Sequence, residues 1–112
     1  MSETQIEKET RQSYAIKIVV KEGARAFGRA YLFLITNDLH DQPYGLLEDV
    51  FIEESYRGKG IGTQLIRAAV EEAKARGCYK IVATSRDSRP KVQKLYERLG
   101  LKKYGAAFRM EL

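Results

Sequence analysis

The chain of 112 residues lacks the features that mark secreted and membrane-spanning proteins. Its one cysteine cannot form an intrachain disulfide, which fits a reducing compartment. It has no run of 18 apolar residues, so the sequence predicts no membrane-spanning helix. Residues 1–12 are polar and have no apolar core, so we expect a flexible N-terminal tail rather than a signal peptide. These absences predict a cytoplasmic protein, and the length predicts a single domain over residues 13–112.

Metal ligands are also scarce. His40 lies with Asp38 and Asp41 in a polar segment over residues 36–45, but no second cluster of ligands supports a metal site. The segment is therefore interpreted as a solvated loop, and no metal is expected. A loop of this length can be functional, so contact with a substrate is a second interpretation of it.

The formal net charge of +5 suggests an anionic partner. Nucleic acid and a phosphorylated cofactor would both satisfy this charge. The basic residues are scattered over the predicted helices and strands and match no recognised nucleic-acid-binding motif. A phosphorylated small molecule is therefore favoured over nucleic acid.

Hydrophobic patterning predicts strands alternating with helices, in the order ββ-β-α-β-α-β. The first two strands should form a β-hairpin, and the β-α-β step should join parallel strands. This order predicts an α/β (α+β) fold with a mixed central sheet. The predicted elements are strands over residues 14–21, 27–35 and 46–52, a helix over 63–76, a strand over 79–84 and a helix over 90–99. Strand candidates over 101–104 and 106–112 close the chain, and Gly105 either separates them or bends one continuous strand.

A glycine-rich run, Arg57-Gly58-Lys59-Gly60-Ile61-Gly62-Thr63, lies where a predicted strand becomes a helix. Glycine permits positive φ and close approach of another molecule to the main chain. The first N–H groups of a helix have no internal partner, and the helix dipole makes that end positive. Arg57 and Lys59 add full charges. The run therefore predicts a phosphate or diphosphate site, with a tight turn that binds nothing as the alternative.

The spacing of the glycines distinguishes three kinds of phosphate loop. The chain has no Walker A run, and the dinucleotide pattern G-x-G-x-x-G fails at Thr63. The pattern R-x-x-G-x-G is matched by Arg57, Gly60 and Gly62. With the preceding residues 48–56, the run resembles the pyrophosphate-binding motif of the GNAT superfamily of acetyl-CoA-dependent N-acetyltransferases.

A second segment, residues 88–101, is similar to the family's segment ending in Y-E-x-x-G-F or Y-E-x-x-G-Y. It departs at Leu101, which replaces the usual aromatic residue, and at Arg89, where many members carry a pantetheine-contacting asparagine. The resemblance covers residues 46–101 strongly and the hairpin weakly.

The resemblance implies a GNAT-like fold with a splayed pair of parallel strands and acetyl-CoA as co-substrate. The pantetheine arm would lie in the gap beside the strand that carries Phe51, whose backbone N–H would polarise the thioester carbonyl. The expected cofactor-binding residues are Val50, Phe51, Ile52, Arg57, Gly58, Lys59, Gly60, Ile61, Gly62, Thr63, Ser88 and Arg89.

Three residues are candidates for catalysis. The resemblance places Tyr96 near the thioester sulfur as a general acid, although its helical phase beside Val92 and Leu99 also fits a core tyrosine. Glu48 and Asp49 are candidate bases or amine anchors. A position at a solvated strand end would explain these two charged residues equally well. Because neighbouring strand residues point to opposite faces, at most one of the two should face the substrate.

The function implied by the resemblance is transfer of an acetyl group from acetyl-CoA to a primary amine of a small molecule, peptide or protein, by direct attack in a ternary complex. A non-catalytic acyl-CoA-binding module is the alternative. The strand and two helices with which the family usually begins have no counterpart before the hairpin. We therefore expect either an open acceptor site or a wall supplied by a second subunit.

Unpaired strand edges in the hairpin and in residues 106–112 predict a homodimer. The alternative is a monomer whose strand edges are protected by charged side chains.

Overall fold

The computed structural model describes residues 3–85 and 88–112 and contains a mixed sheet flanked by helices. The strand order is β1-β2-β3-β4, with antiparallel pairing of the first three strands and parallel pairing of β3 with β4. The predicted α+β class and mixed sheet are confirmed. The elements are β1 (Tyr14–Glu22), β2 (Arg25–Ile35), β3 (Tyr44–Ile52), a 3-10 turn (Glu54–Tyr56), α1 (Ile61–Ala75), β4 (Ile81–Ala83) and α2 (Pro90–Arg98).

The hydrophobic core lies between the sheet and α1. Alternate residues of β2, among them Ala30 and Leu32, are fully buried, as are Leu65, Ile66 and Ala69 of α1. Side chains alternate across a strand and recur at three- and four-residue intervals on a helix, so both elements present an apolar face to each other. Each large aliphatic side chain buried there stabilises the fold by roughly 1.5–3 kcal/mol. This core fixes α1 against the sheet and therefore fixes the loop that precedes α1.

A β-bulge that was not predicted from the sequence interrupts β3. Before the bulge Glu48 pairs with Tyr31, and after it Phe51 pairs with Arg29. Two residues of β3 therefore oppose one residue of β2. The first of them, Asp49, has φ of 51°, in the left-handed region that aspartate tolerates better than most side chains.

The bulge corrects the expectation of strict alternation at residues 48 and 49. Glu48 and Asp49 are both exposed. Glu48 lies opposite Tyr31, which shares a face of β2 with Arg29, and Asp49 bonds to Arg29. Both carboxylates therefore lie toward the sheet face that α1 leaves uncovered. The sequence signal for this bulge was the adjacent pair of charged residues, Glu48 and Asp49, inside an otherwise apolar strand.

The parallel strands β3 and β4 separate after a short stretch of pairing. Gly45, Leu46 and Leu47 pair with Ile81–Ala83, and β3 then continues to Ile52 with no strand on its β4 side among the described residues. The bulge follows this point directly. The second half of β3 therefore has a gap in its pairing on the β4 side.

The predicted C-terminal strands are wrong. Residues 101–112 form no helix or strand, and Phe108, Met110 and Leu112 are exposed. A strand needs a paired neighbour, and the outer edge of β4 offers only the backbone groups of three residues. The chain thus ends its regular structure with α2. Residues 3–13 also form no helix or strand, whereas residues 1 and 2 of the predicted tail lie outside the described part.

In the described parts of the chain, neither helix is long and apolar enough to cross a membrane.

Candidate functional site

The glycine-rich loop leaves backbone N–H groups available at the start of α1. Gly58 and Gly60 both have φ of 78°, and Gly60 is the N-terminal cap residue of the helix. The first intrahelical bond is donated by the Gln64 N–H to the Gly60 carbonyl oxygen, at 3.2 Å. Residues 61–63 therefore lack intrahelical acceptors, and no side chain caps this described helix. These N–H groups and the helix dipole favour an anion at this position.

A groove of ≈ 270 Å³ lies in front of this helix start. Loop residues line one wall, and Lys91, Leu95 and Arg98 of α2 line the other. Lys91 and Arg98 were not predicted as site residues from the sequence. Their spacing could have indicated this position. Lys91 and Arg98 are seven residues apart with Leu95 between them, so all three share one helix face. Together with Arg57, these side chains surround the groove with positive charge.

Arg57 connects the loop to the end of β3 by a hydrogen bond. Its Nε–H donates to the carbonyl oxygen of Ile52 at 2.9 Å, and its guanidinium lies 5.8 Å from the centre of the Phe51 ring. Arg57 also lines the groove, so the same side chain shapes the loop and contributes charge to it. Lys59 lies instead with its Nζ 5.6 Å from the centre of the Tyr56 ring and is not part of the groove lining.

The structure does not bring Ser88 and Arg89 into this groove. Both residues are exposed ahead of α2, and Arg89 is the N-terminal cap residue without a side-chain capping bond. A contact between these residues and a cofactor stays a prediction.

The second half of β3 divides its side chains between two faces. Val50 and Ile52 pack against the core, and Ile52 also borders the groove. Phe51 is 40% exposed on the uncovered face. A Cβ at Gly62 would lie 3.4 Å from the Cδ1 atom of Ile52, so glycine there allows the close approach of α1 to β3.

Tyr96 is half-buried on α2 and packs against the same core cluster as Val50. Burial raises the pKa of the Tyr96 phenol above its ordinary value, so the hydroxyl is protonated at neutral pH. The Tyr96 carbonyl oxygen accepts the Leu101 N–H at 2.9 Å, which closes the end of the helix. This environment fits both a core tyrosine and a proton donor, so its catalytic role stays a prediction.

The two candidate bases have different surroundings. Asp49 accepts two hydrogen bonds from Arg29, from Nε to Oδ2 at 2.8 Å and from Nη2 to Oδ1 at 3.0 Å. This hydrogen bonding lowers the pKa of Asp49 below its usual value. Glu48 is exposed and makes no ion pair within the described chain. Of the two carboxylates, only Asp49 is paired with Arg29, and a catalytic role for either one stays a prediction.

The predicted solvated loop contains no metal cluster among the residues that the structure describes. The His40 ring instead contacts the Tyr79 ring, with centroids 3.9 Å apart.

Comparison with known proteins confirms the family that the motifs predicted. The model of the acetyltransferase (GNAT) family matches residues 2–101, and the chain belongs to this family. The chain is 38% identical over 68 residues to glucosamine 6-phosphate N-acetyltransferase of Trypanosoma brucei brucei, covering 61% of this chain and 44% of that protein. It is 35% identical over 54 residues to thialysine N-epsilon-acetyltransferase of Bos taurus, covering 48% of this chain and 32% of that protein.

The fold agrees with that of a solved family member. A crystal structure of an acetyltransferase of Trypanosoma brucei superposes with a TM-score of 0.78 at 29% identity, covering 88% of this chain and 69% of that chain. The chain spans less than half the length of these two curated relatives.

Proposed function

We propose that this chain transfers an acetyl group from acetyl-CoA to a primary amine of a small molecule, peptide or protein, by direct attack in a ternary complex in the cytoplasm. The observation that carries the proposal is the basic groove at the start of α1, where backbone N–H groups without intrahelical acceptors face outward. Membership of the acetyltransferase family supports the same reaction.

The groove suits the diphosphate of the cofactor. Backbone N–H groups of residues 58–63 are the donors, and Arg57, Lys91 and Arg98 supply charge around them. Three cations at one groove explain part of the positive net charge of the chain without a nucleic-acid partner.

The gap beside the second half of β3 suits the pantetheine arm. This part of the strand has no neighbouring strand on the β4 side, so its backbone groups are available to an extended ligand. The bulge at Asp49 lies at the head of the gap. A thioester there would have its carbonyl oxygen polarised by a backbone N–H near Phe51.

The chemistry requires an acid and a base. The amine nitrogen attacks the carbonyl carbon of the thioester, a C–N bond forms, and the C–S bond breaks. Tyr96 gives its proton to the departing thiolate, and burial keeps that proton on the phenol until it is needed. Glu48 accepts the proton of the ammonium, directly or through a water molecule. Asp49 is less suited to this task because Arg29 occupies both of its oxygens.

A non-catalytic acyl-CoA-binding module would keep the groove but release no thiol. Incubation with acetyl-CoA and an amine separates the two functions, because only the transferase forms an acetylated amine and free CoA. Binding of acetyl-CoA without either product would favour the binding module.

We expect the chain to form a homodimer in solution. The uncovered sheet face carries the stacked rings of Tyr31 and Phe33, and the edge strand β1 exposes Tyr14. Gel filtration with light scattering should give twice the chain mass of 12.8 kDa. Replacing Phe33 with glutamate should dissociate the dimer if the sheet face forms the interface, whereas Phe108→Glu should do so if the C-terminal segment does. A mass of 12.8 kDa that persists at high protein concentration would reject the dimer.

A further inference from the structure

The side chain of Arg29 connects the β-bulge to the part of β3 that follows it. Arg29 of β2 lies opposite Phe51, the first residue paired after the bulge. Its guanidinium lies 4.8 Å from the centre of the Phe51 ring. The same guanidinium makes the two-bond fork to Asp49, the first residue of the bulge. Arg29 therefore contacts the first residue of the bulge and the first residue paired after it.

The backbone of Asp49 needs such support. Its φ of 51° is less favourable for aspartate than for glycine, because the Cβ approaches the following carbonyl oxygen. A planar guanidinium bound to both carboxylate oxygens fixes the position of the side chain as well as its charge. The fork therefore favours the one backbone conformation at Asp49 in which both bonds can form.

A second ion pair on β2 shows that charge pairing alone does not create this arrangement. Arg25 bonds to Glu53 at 2.6 Å, but Glu53 follows the end of β3 and has no positive φ. The Arg29 fork differs from it by acting on a residue in the left-handed region within the strand.

We propose that Arg29 is a positioning residue that holds Asp49 in the left-handed conformation and thereby sets the direction of the β3 backbone over residues 50–52. This inference rests on the proposed function, which places the pantetheine arm and the thioester along that backbone. Arg29 acts through β3 and does not touch the diphosphate groove, whose lining it does not join.

The test compares two ligands that differ in the part of the site they occupy. Acetyl-CoA would use both the loop and the β3 backbone, whereas adenosine 3′-phosphate 5′-diphosphate would use the loop and groove alone. In Arg29→Gln, calorimetry should show the affinity for acetyl-CoA falling by about five- to tenfold, in line with the cost of an unsupported left-handed residue. The affinity for the nucleotide fragment should not change.

Arg76→Gln is the matched control. Arg76 also bonds an acidic partner, Glu72, at 2.9 Å, but at the far end of α1. This variant loses the same charge and an exposed ion pair of similar length, and both affinities should equal those of the wild type. Equal losses for the two ligands in Arg29→Gln would overturn the proposal, because a general loss of charge or stability would act on both.

Asp49→Gly separates the positioning role from other roles of the pair. Glycine adopts positive φ without the steric penalty, so the bulge should persist without the fork. Adding Arg29→Gln to Asp49→Gly should then cost less than twofold in acetyl-CoA affinity. If Arg29→Gln costs the same five- to tenfold in both backgrounds, Arg29 does not act through the conformation of residue 49.

A measurement without ligand tests the role of Arg29 in the bulge separately from the proposed function. Amide hydrogen exchange at residues 50–52 should be faster in Arg29→Gln than in the wild type, and unchanged in Arg76→Gln. Unchanged exchange in Arg29→Gln would overturn the positioning role even if the wild type binds acetyl-CoA. Failure of the wild type to bind acetyl-CoA, with faster exchange in Arg29→Gln, would instead reject the cofactor assignment and retain the role of Arg29 in the bulge.

Discussion

Replacing Tyr96 with phenylalanine should lower kcat by about 100- to 10,000-fold, the usual contribution of a general acid, while acetyl-CoA affinity stays close to that of the wild type. The substitution removes only the hydroxyl and keeps the ring that packs with Leu95 and Leu99 against the core. Stopped assays of product formation give kcat, and calorimetry gives the affinity.

Tyr79→Phe is the control for this variant. Tyr79 is also half-buried, but it lies beside His40, away from α2. It should keep wild-type turnover. Wild-type turnover in Tyr96→Phe as well would show that Tyr96 is a core residue or that another group replaces it.

The pH dependence of kcat should carry the signature of the Tyr96 phenol. The protonated form is active, and burial raises its pKa above the ordinary value of about 10. The activity that depends on this proton is therefore present at neutral pH and lost only as the pH rises through that raised pKa. A kcat profile that falls between about pH 7 and pH 9 would contradict the assignment.

Replacing Gly60 with valine should weaken acetyl-CoA binding by at least about tenfold. Gly60 has φ of 78°, which a β-branched residue adopts only at considerable cost, and the added side chain would stand where the diphosphate approaches. Apart from its chain neighbours, no atom of residues 3–85 and 88–112 lies within 4 Å of a Cβ placed at Gly60, so the obstruction is to the ligand and to the backbone angle rather than to packing. Calorimetry with acetyl-CoA measures the loss.

Gly105→Val serves as the comparison for Gly60→Val. Gly105 does not have positive φ, and a Cβ there likewise meets no atom of the described residues within 4 Å beyond its chain neighbours. The affinity of the Gly105→Val variant for acetyl-CoA should match that of the wild type. A folded Gly60→Val protein with unchanged affinity would reject the assignment of the loop to the diphosphate.

The loop and the first three strands were predictable because their signals are local. Three glycines between an apolar run and a helical pattern specify a turn that needs positive φ, and Gly58 and Gly60 have it. The hairpin likewise follows from alternating residues on both sides of a short turn. Family membership followed from the spacing of Arg57, Gly60 and Gly62, since that pattern carries more information than any one glycine.

The missed features depend on contacts between distant residues. The bulge arises from the register of β3 against β2, and Arg29 lies twenty positions before the residue it binds. Lys91 and Arg98 join the groove only because α2 lies against the start of α1, where Leu95 approaches Gly62. The pattern of residues 106–112 predicted a strand, but patterning cannot supply the paired edge that a strand requires.

Thiol release from acetyl-CoA in the presence of amines, polyamines and peptides tests the proposed acetyl transfer most directly. The proposed function predicts release that requires both the chain and an amine, matched mole for mole by acetylated product, and lost in Gly60→Val and Tyr96→Phe. Release at the same rate without any amine would indicate hydrolysis instead. Acetyl-CoA binding with no thiol release across the whole set of amines would contradict the transferase and favour a binding module.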